Sequence, residues 1–158
     1  MKKIIWFFIF LFFLSITSTS FTNENRVQVI DGDTIYIGKL KYRLFGIDAP
    51  EKKQICEKDN IKIQCGILAQ DVLKKKIGDK IPECIVKDKD RYQRLVAECF
   101  IGKESLSRFM VREGYAVAYI QYSKDFIYDE KYAKENKLGI WSMNFQLPSE
   151  YRKSLRNK

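Results

Sequence analysis

Three short strand-like segments follow one another between residues 26 and 47. They are rich in Val, Ile, Tyr and Leu, and Asp or Gly marks the turns between them, as in closely connected β-strands. With two later segments of the same kind, the predicted strands are Arg26–Ile30, Thr34–Gly38, Leu40–Ile47, Glu83–Lys87 and Leu95–Phe100. Hydrophobic periodicity predicts helices over Gly66–Ile77, Glu104–Glu113 and Asp125–Lys137.

The order of these elements favours an α+β fold class. Helices after the third and fifth strands favour a small five-stranded OB-type β-barrel with three helices over a β-sandwich. A chain of 158 residues forms one core of ordinary size. We therefore expect a single domain over residues 21–147, followed by a basic C-terminal tail, residues 148–158, that is interpreted as a solvated terminus.

The first twenty residues have the composition of a targeting segment. Lys2 and Lys3 precede a continuous apolar run from Ile4 to Leu14. This pattern predicts a signal peptide over residues 1–20 and an exported protein, periplasmic or secreted. An uncleaved membrane anchor through residues 4–16, with membrane contact through it, is the alternative.

Four cysteines, an even number, lack the C-x-x-C spacing of zinc sites. In an exported chain they suggest two disulfides, for which three connectivities exist, and we favour Cys56–Cys65 and Cys84–Cys99. A hairpin that turns near residues 91 and 92 would place Cys84 opposite Cys99. Four reduced thiols in a cytosolic protein remain the alternative.

Charge and composition restrict the chemistry. The chain has 29 Lys and Arg against 20 Asp and Glu, a formal charge of +9, which favours nucleic acid or an anionic membrane as partner. It has no histidine. Catalytic triads, general bases and zinc sites that use histidine are therefore excluded, which leaves carboxylates, Arg, Lys, Tyr and Cys.

Acidic residues occur at two places in the predicted barrel, as D-G-D at residues 31–33 and D-A-P-E at residues 48–51. The end of the third strand can lie beside the start of the second, which would bring the two places together. Clustered carboxylates need a cation, and oxygen ligands suit Ca²⁺ or Mg²⁺. Pro50 keeps Ala49 out of helical geometry, so the carbonyl of Ala49 is free to point at such an ion.

Several motifs in chain order resemble the staphylococcal nuclease (thermonuclease) family in its compact exported bacterial form. They are V-I-D-G-D-T, R-L-F-G-I-D-A-P-E, D-R-Y-Q-R-L-V-A, M-V-R-E-G-Y-A-V-A-Y and K-L-G-I-W-S, between Val27 and Ser142. The resemblance implies an OB barrel with three helices and Ca²⁺-dependent hydrolysis of phosphodiester bonds in DNA and RNA.

The same resemblance implies a metal site. Asp33 and Asp48 would bind Ca²⁺ through their carboxylates and Ala49 through its backbone carbonyl, with Asp31 close by in support. Ala49 stands where the founding nuclease has threonine, a change without effect if only the carbonyl binds.

It also implies catalytic roles for three residues. Glu51 matches the proposed general base, and Arg43 and Arg94 match the two arginines that hold the phosphate. Gln93 replaces the usual glycine before Arg94 and could shift the turn that carries this arginine. The candidate nucleotide contacts are Tyr119 and Tyr122.

Two other kinds of function are compatible with the sequence. A catalytically silent OB module would only bind single-stranded nucleic acid through a basic groove and aromatic side chains. A membrane-tethered interaction domain would keep its leader. In each case we expect a monomer.

Overall fold

The structure, a computed structural model, describes residues 26–157. The predicted targeting segment, residues 1–20, and the candidate anchor, residues 4–16, lie outside this range. None of the helices within residues 26–157 combines the length and the apolar composition needed to cross a membrane.

Residues 26–157 contain ten short strands and four α-helices. The strands are β1 (Val27–Asp31), β2 (Thr34–Ile37), β3 (Leu40–Leu44), β4 (Ile47–Asp48), β5 (Cys56–Lys58), β6 (Ile61–Ile63), β7 (Glu83–Lys89), β8 (Leu95–Ile101), β9 (Glu104–Ser105) and β10 (Val117–Ala118). The helices are α1 (Cys65–Ile77), α2 (Leu106–Arg112), α3 (Ile127–Glu135) and α4 (Pro148–Arg156), with a 3₁₀ turn at Gly139–Ser142.

Five strands form the main sheet in the order β1-β2-β3-β8-β7. Neighbouring strands are antiparallel except β3 and β8, which run parallel, and β9 pairs antiparallel with the end of β8. The two-residue strands β4 and β10 pair with each other at the end of the barrel. This arrangement confirms the predicted α+β fold class and the OB-type barrel.

The structure divides two of the predicted elements. A turn at Phe45 and Gly46 separates β3 from β4, and Gly46 turns the chain there with a φ of 72°. The first two residues of the helix predicted from Glu104 form β9 instead, and α2 begins at Leu106. The side chain of Ser105 caps α2 by accepting from the amide of Arg108.

The interior of the barrel is filled by aliphatic side chains from the sheet and from the helices that cover it. Ile35 and Leu44 from the sheet, Leu73 from α1 and Met110 from α2 are almost completely buried in one cluster. Because α1 and α2 both pack on this cluster, the strand ends that carry the acidic residues have a rigid support.

Both disulfides have the favoured connectivity. Cys84 lies directly opposite Cys99 in the β7–β8 ladder, and the two are bonded. Cys56 and Cys65 are bonded across the hairpin of β5 and β6, two strands that were not predicted. This second bond joins the segment after residue 51 to the first residue of α1. Each disulfide is expected to stabilise the fold by about 2–4 kcal/mol.

The interpretation of the C-terminal tail as a solvated terminus is wrong for residues 148–156. These residues form the helix α4, with Pro148 at its first turn, where a missing amide hydrogen does no harm. The side-chain Nε2 of Gln54 donates to the backbone carbonyl of Gln146 at 2.6 Å, which holds the start of this segment on the barrel. The tail is therefore part of the folded domain.

Candidate active site

The turn between β1 and β2 places Asp33 against Ala49. The carboxylate of Asp33 accepts the backbone amide of Ala49 at 2.7 Å, and Asp31 accepts the amide of Asp33 at 3.1 Å. Gly32 makes this approach possible, since a Cβ atom there would lie 2.7 Å from the Cβ of Ala49. The D-G-D turn and the D-A-P-E segment thus meet, as the sequence predicts.

Arg43 joins the two acidic segments. It lies on β3 directly opposite Thr34, so its side chain emerges beside Asp33. One guanidinium nitrogen of Arg43 forms an ion pair with Asp33 and the other lies 3.0 Å from Asp48. Burial lowers the pKa of Arg43 and the charge of Asp48 opposes this shift. The carboxylates of Asp33 and Asp48 therefore lie within the span of a single guanidinium.

Glu51 is held by its backbone. The amide of Glu51 donates to the side chain of the buried Gln54, and the carbonyl of Glu51 accepts the amide of Gln54 at 2.7 Å. The start of α1 packs directly on this loop, because a Cβ atom at Gly66 would lie 1.8 Å from the carbonyl oxygen of Glu51. With its backbone fixed, the side chain of Glu51 points to the same cavity as Asp33 and Arg43.

A third arginine reaches the site from α4. Arg152 donates to both carboxylate oxygens of Asp48 at 2.9 Å, and to Oε1 of Glu51 at 2.9 Å. Burial disfavours the charged form of Arg152, but the hydrogen bonds to Asp48 and Glu51 outweigh burial and raise the pKa of its guanidinium. This residue was not among the predicted site residues.

Arg94 also lines the cavity. Its Nε donates to Asp90 at 2.7 Å, and its guanidinium lies 5.5 Å from the ring centroid of Tyr92. The backbone groups of Asp90 and Arg94 also pair across the turn, which Gln93 occupies with a φ of 64°. Gln93 therefore adopts the left-handed backbone geometry that glycine usually provides in such a turn. Arg94 still lines the cavity.

Replacing Gln93 by glycine should stabilise the protein. Left-handed backbone geometry costs a residue with a Cβ atom roughly 1–2 kcal/mol, whereas the extra freedom of glycine in the unfolded chain costs about 0.4–1 kcal/mol. We therefore expect Gln93→Gly to raise the free energy of unfolding by about 0.5–1 kcal/mol. Urea unfolding measures this change.

A matched control for this prediction is Gln121→Gly. Gln121 is also exposed in a turn, but its φ is not positive, so glycine there should leave the free energy of unfolding unchanged or lower it. A Gln93→Gly protein less stable than the wild type would show that the turn is not strained.

One cavity of about 700 Å³ is lined by the acidic and basic residues described above: Asp31, Asp33, Arg43, Glu51, Arg94 and Arg152. Its aromatic wall includes the two tyrosines predicted as nucleotide contacts, whose ring centroids lie 4.8 Å apart: Tyr119 and Tyr122. Tyr122 is 71% exposed, so much of its side chain is open to a ligand. Exposed aromatic faces beside guanidinium groups are a surface on which bases can stack.

The donor set fits Ca²⁺. Asp33 and Asp48 offer buried carboxylate oxygens and Ala49 offers a neighbouring carbonyl, and these hard oxygen donors are the kind that Ca²⁺ prefers. Within residues 26–157 no group of three or more potential ligand side chains is close enough to share one ion. Such an ion would therefore depend partly on backbone and water oxygens.

The sequence identifies the acidic segments but not two residues that form ion pairs with the site residues. These are Asp90, which pairs with Arg94, and Arg152, which pairs with Asp48 and Glu51. Asp90 and Arg94 flank the predicted hairpin turn near residues 91 and 92, a placement that could have suggested the pair. Arg152 gave a weaker signal, the helix start L-P-S-E before a basic stretch. Neither signal identifies a distant partner.

Comparison with known proteins gives consistent results. The family model described as staphylococcal nuclease homologue matches residues 41–143. The chain is 34% identical over 135 residues to a Haemophilus influenzae protein named as an uncharacterized endonuclease, covering 80% of this chain and 71% of that protein. It is 34% identical over 143 residues to the thermonuclease of Staphylococcus hyicus, covering 79% and 82%.

Proposed function

Because the chain belongs to the staphylococcal nuclease homologue family, we propose that it is a Ca²⁺-dependent, sugar-nonspecific nuclease that hydrolyses phosphodiester bonds of DNA and RNA. Relatives named as nucleases support phosphodiester hydrolysis. The observation that carries the finer proposal is the position of Arg43, whose guanidinium contacts both Asp33 and Asp48 at the cavity that Glu51 and Arg94 also line.

Two arginines would hold the phosphate. A phosphodiester is anionic and repels an attacking nucleophile, so its hydrolysis needs positive charge at the non-bridging oxygens. Arg43 and Arg94 both line the cavity, and a guanidinium can donate two parallel hydrogen bonds to a phosphate. These two residues would bind the substrate and stabilise the charge that develops in the transition state.

Glu51 would act as the general base. Its carboxylate would accept a proton from the attacking water, and its fixed backbone keeps the carboxylate near the phosphate position. Ca²⁺, when bound by Asp33, Asp48 and the carbonyl of Ala49, would supply positive charge for the phosphate and for the water. Asp31 supports this arrangement by fixing the amide of Asp33.

The remaining assignments concern the base contacts, the location of the protein and its domain. Tyr119 and Tyr122 would stack on bases beside the cavity. Two disulfides fit an exported protein, periplasmic or secreted, with residues 1–20 as its leader or membrane anchor. We propose that it acts as a monomer on DNA and RNA, through a single domain that begins near residue 21 and includes α4.

Activity should require added Ca²⁺. We expect the purified protein to cleave single-stranded DNA and RNA with Ca²⁺, to lose cleavage in excess EGTA, and to recover it when Ca²⁺ is restored, because two carboxylates alone hold the ion weakly. A fluorescence assay with labelled oligonucleotides measures the rate.

The same assay separates the alternatives. Full cleavage in excess EGTA would contradict the metal site. Binding of oligonucleotides without cleavage at saturating Ca²⁺ would replace the nuclease with a catalytically silent OB-fold binding module.

A further inference from the structure

The C-terminal segment is attached to the loop that carries Glu51. The backbone of Asn144 pairs with that of Glu57 through two hydrogen bonds of 2.7 and 2.9 Å. Further along, Tyr151 donates to the carbonyl of Lys53 at 3.3 Å. These contacts fix α4 beside residues 51–57 and so hold the Arg152 side chain at the cavity. Its position is a consequence of the fold rather than of a chance surface contact.

Arg152 occupies the oxygens that a metal would use. Its two terminal nitrogens lie 2.9 Å from the two oxygens of Asp48, and one of them also lies 2.9 Å from Oε1 of Glu51. The side chain of Asp48 is only 2% exposed, so water screens this pair weakly. Both oxygens of the proposed ligand Asp48 are thus already paired with a cation.

A calcium ion and this guanidinium would compete for Asp48. Ca²⁺ binds carboxylate oxygens at 2.3–2.6 Å, and a second positive charge within a few ångströms of the ion would repel it strongly in a poorly screened site. Arg43 already contacts Asp33 and Asp48, so the site without metal contains two guanidiniums on two buried carboxylates. An ion that binds the oxygens of Asp48 would therefore compete with these guanidiniums.

We propose that Arg152 is a positioning residue of the active site, an internal cation that pairs with Asp48 and Glu51 and competes with Ca²⁺ for Asp48. Arg152 rather than Arg43 is the group that leaves, because Arg43 emerges from the main sheet whereas Arg152 extends from the terminal helix and is 34% exposed. This inference rests on the proposed metal site. Ca²⁺ binding then releases Arg152 from Asp48 and frees Oε1 of Glu51.

Removing the side chain should therefore tighten Ca²⁺ binding. Isothermal titration of the full chain with CaCl₂ alone, without substrate, should give a dissociation constant roughly 5- to 150-fold lower for Arg152→Gln than for the wild type, the range of ordinary coupling between two sites. Arg156→Gln is the matched control, because Arg156 is exposed on the same helix, and it should leave the dissociation constant unchanged.

Arg152→Lys keeps the charge without the planar fork. It should show a Ca²⁺ dissociation constant between those of the wild type and Arg152→Gln, since an ammonium cannot contact both oxygens of Asp48 in parallel. Arg152→Lys keeps a positive charge beside the buried carboxylate of Asp48, so it should fold even if Arg152→Gln does not. A thermal melt adds a second readout: Ca²⁺ should raise the Tm of Arg152→Gln more than that of the wild type.

Equal or weaker Ca²⁺ binding by Arg152→Gln and Arg152→Lys would overturn the competition. It would leave the proposed metal site intact as long as the wild type still binds Ca²⁺. If no variant and no wild-type protein bound Ca²⁺, the metal site and the competition would both be wrong. A purely structural role for Arg152 predicts a lower Tm without tighter binding, which would also contradict the proposal.

Discussion

Glu51→Gln should lower kcat by about 10²–10⁴-fold, the usual contribution of a general base. The amide keeps the shape of the side chain but cannot accept the proton of the attacking water. The backbone contacts that hold this residue, to Gln54 and Gly66, do not involve the carboxylate, so the loop should stay in place. Steady-state cleavage of single-stranded DNA with saturating Ca²⁺ measures the change.

The pH profile distinguishes lost base catalysis from a damaged site. Without the base, water activation depends on solvent hydroxide, so the residual rate of Glu51→Gln should rise more steeply with pH than the wild-type rate. Oligonucleotide binding should be retained. Glu57→Gln is the matched control, since Glu57 is exposed on β5, and it should keep wild-type turnover. Near wild-type kcat in Glu51→Gln would remove the residue from the mechanism.

Arg94→Ala should lower kcat by about 10²–10³-fold with a smaller change in KM. The guanidinium would contact the phosphate most strongly as negative charge develops, so its loss should affect the transition state more than the ground state. Asp90 and Tyr92 orient Arg94 but cannot replace its charge. Single-turnover kinetics at saturating protein and Ca²⁺ separate this chemical effect from binding.

Two further variants sharpen this prediction. Arg94→Lys should recover only part of the rate, because lysine cannot donate two parallel hydrogen bonds to a phosphate. Lys89→Ala removes a positive charge from the same hairpin, but Lys89 does not line the cavity, so its kcat should not change. If Arg94→Ala raised KM and left kcat intact, Arg94 would only bind substrate.

The sequence predicted best the contacts that are close along the chain or repeated by strand pairing. Cys84 and Cys99 lie opposite each other because an antiparallel hairpin requires it, and their pairing is confirmed. Asp33 and Ala49 meet because one intervening hairpin returns the chain. In both cases a periodic local pattern determines which residues become neighbours.

Other features depend on packing that no local pattern expresses. The predicted strand over Leu40–Ile47 is divided at Gly46, and the short β4 that follows pairs with β10, which is far away in the sequence. Arg152 reaches Asp48 across 104 residues, and a basic terminal stretch is usually solvated. Its actual place depends on backbone contacts made by the segment before α4, which polar composition does not reveal.

The late position of Arg152 in the chain affects how the molecule is made. Ribosomes synthesise the N-terminal part first, so the barrel strands that carry Asp48 exist before α4 does. Until residue 152 emerges, Asp48 and Glu51 lack this counter-ion. A nascent chain, or one from which a protease has trimmed the last turns, would thus carry the acidic pair without its internal partner.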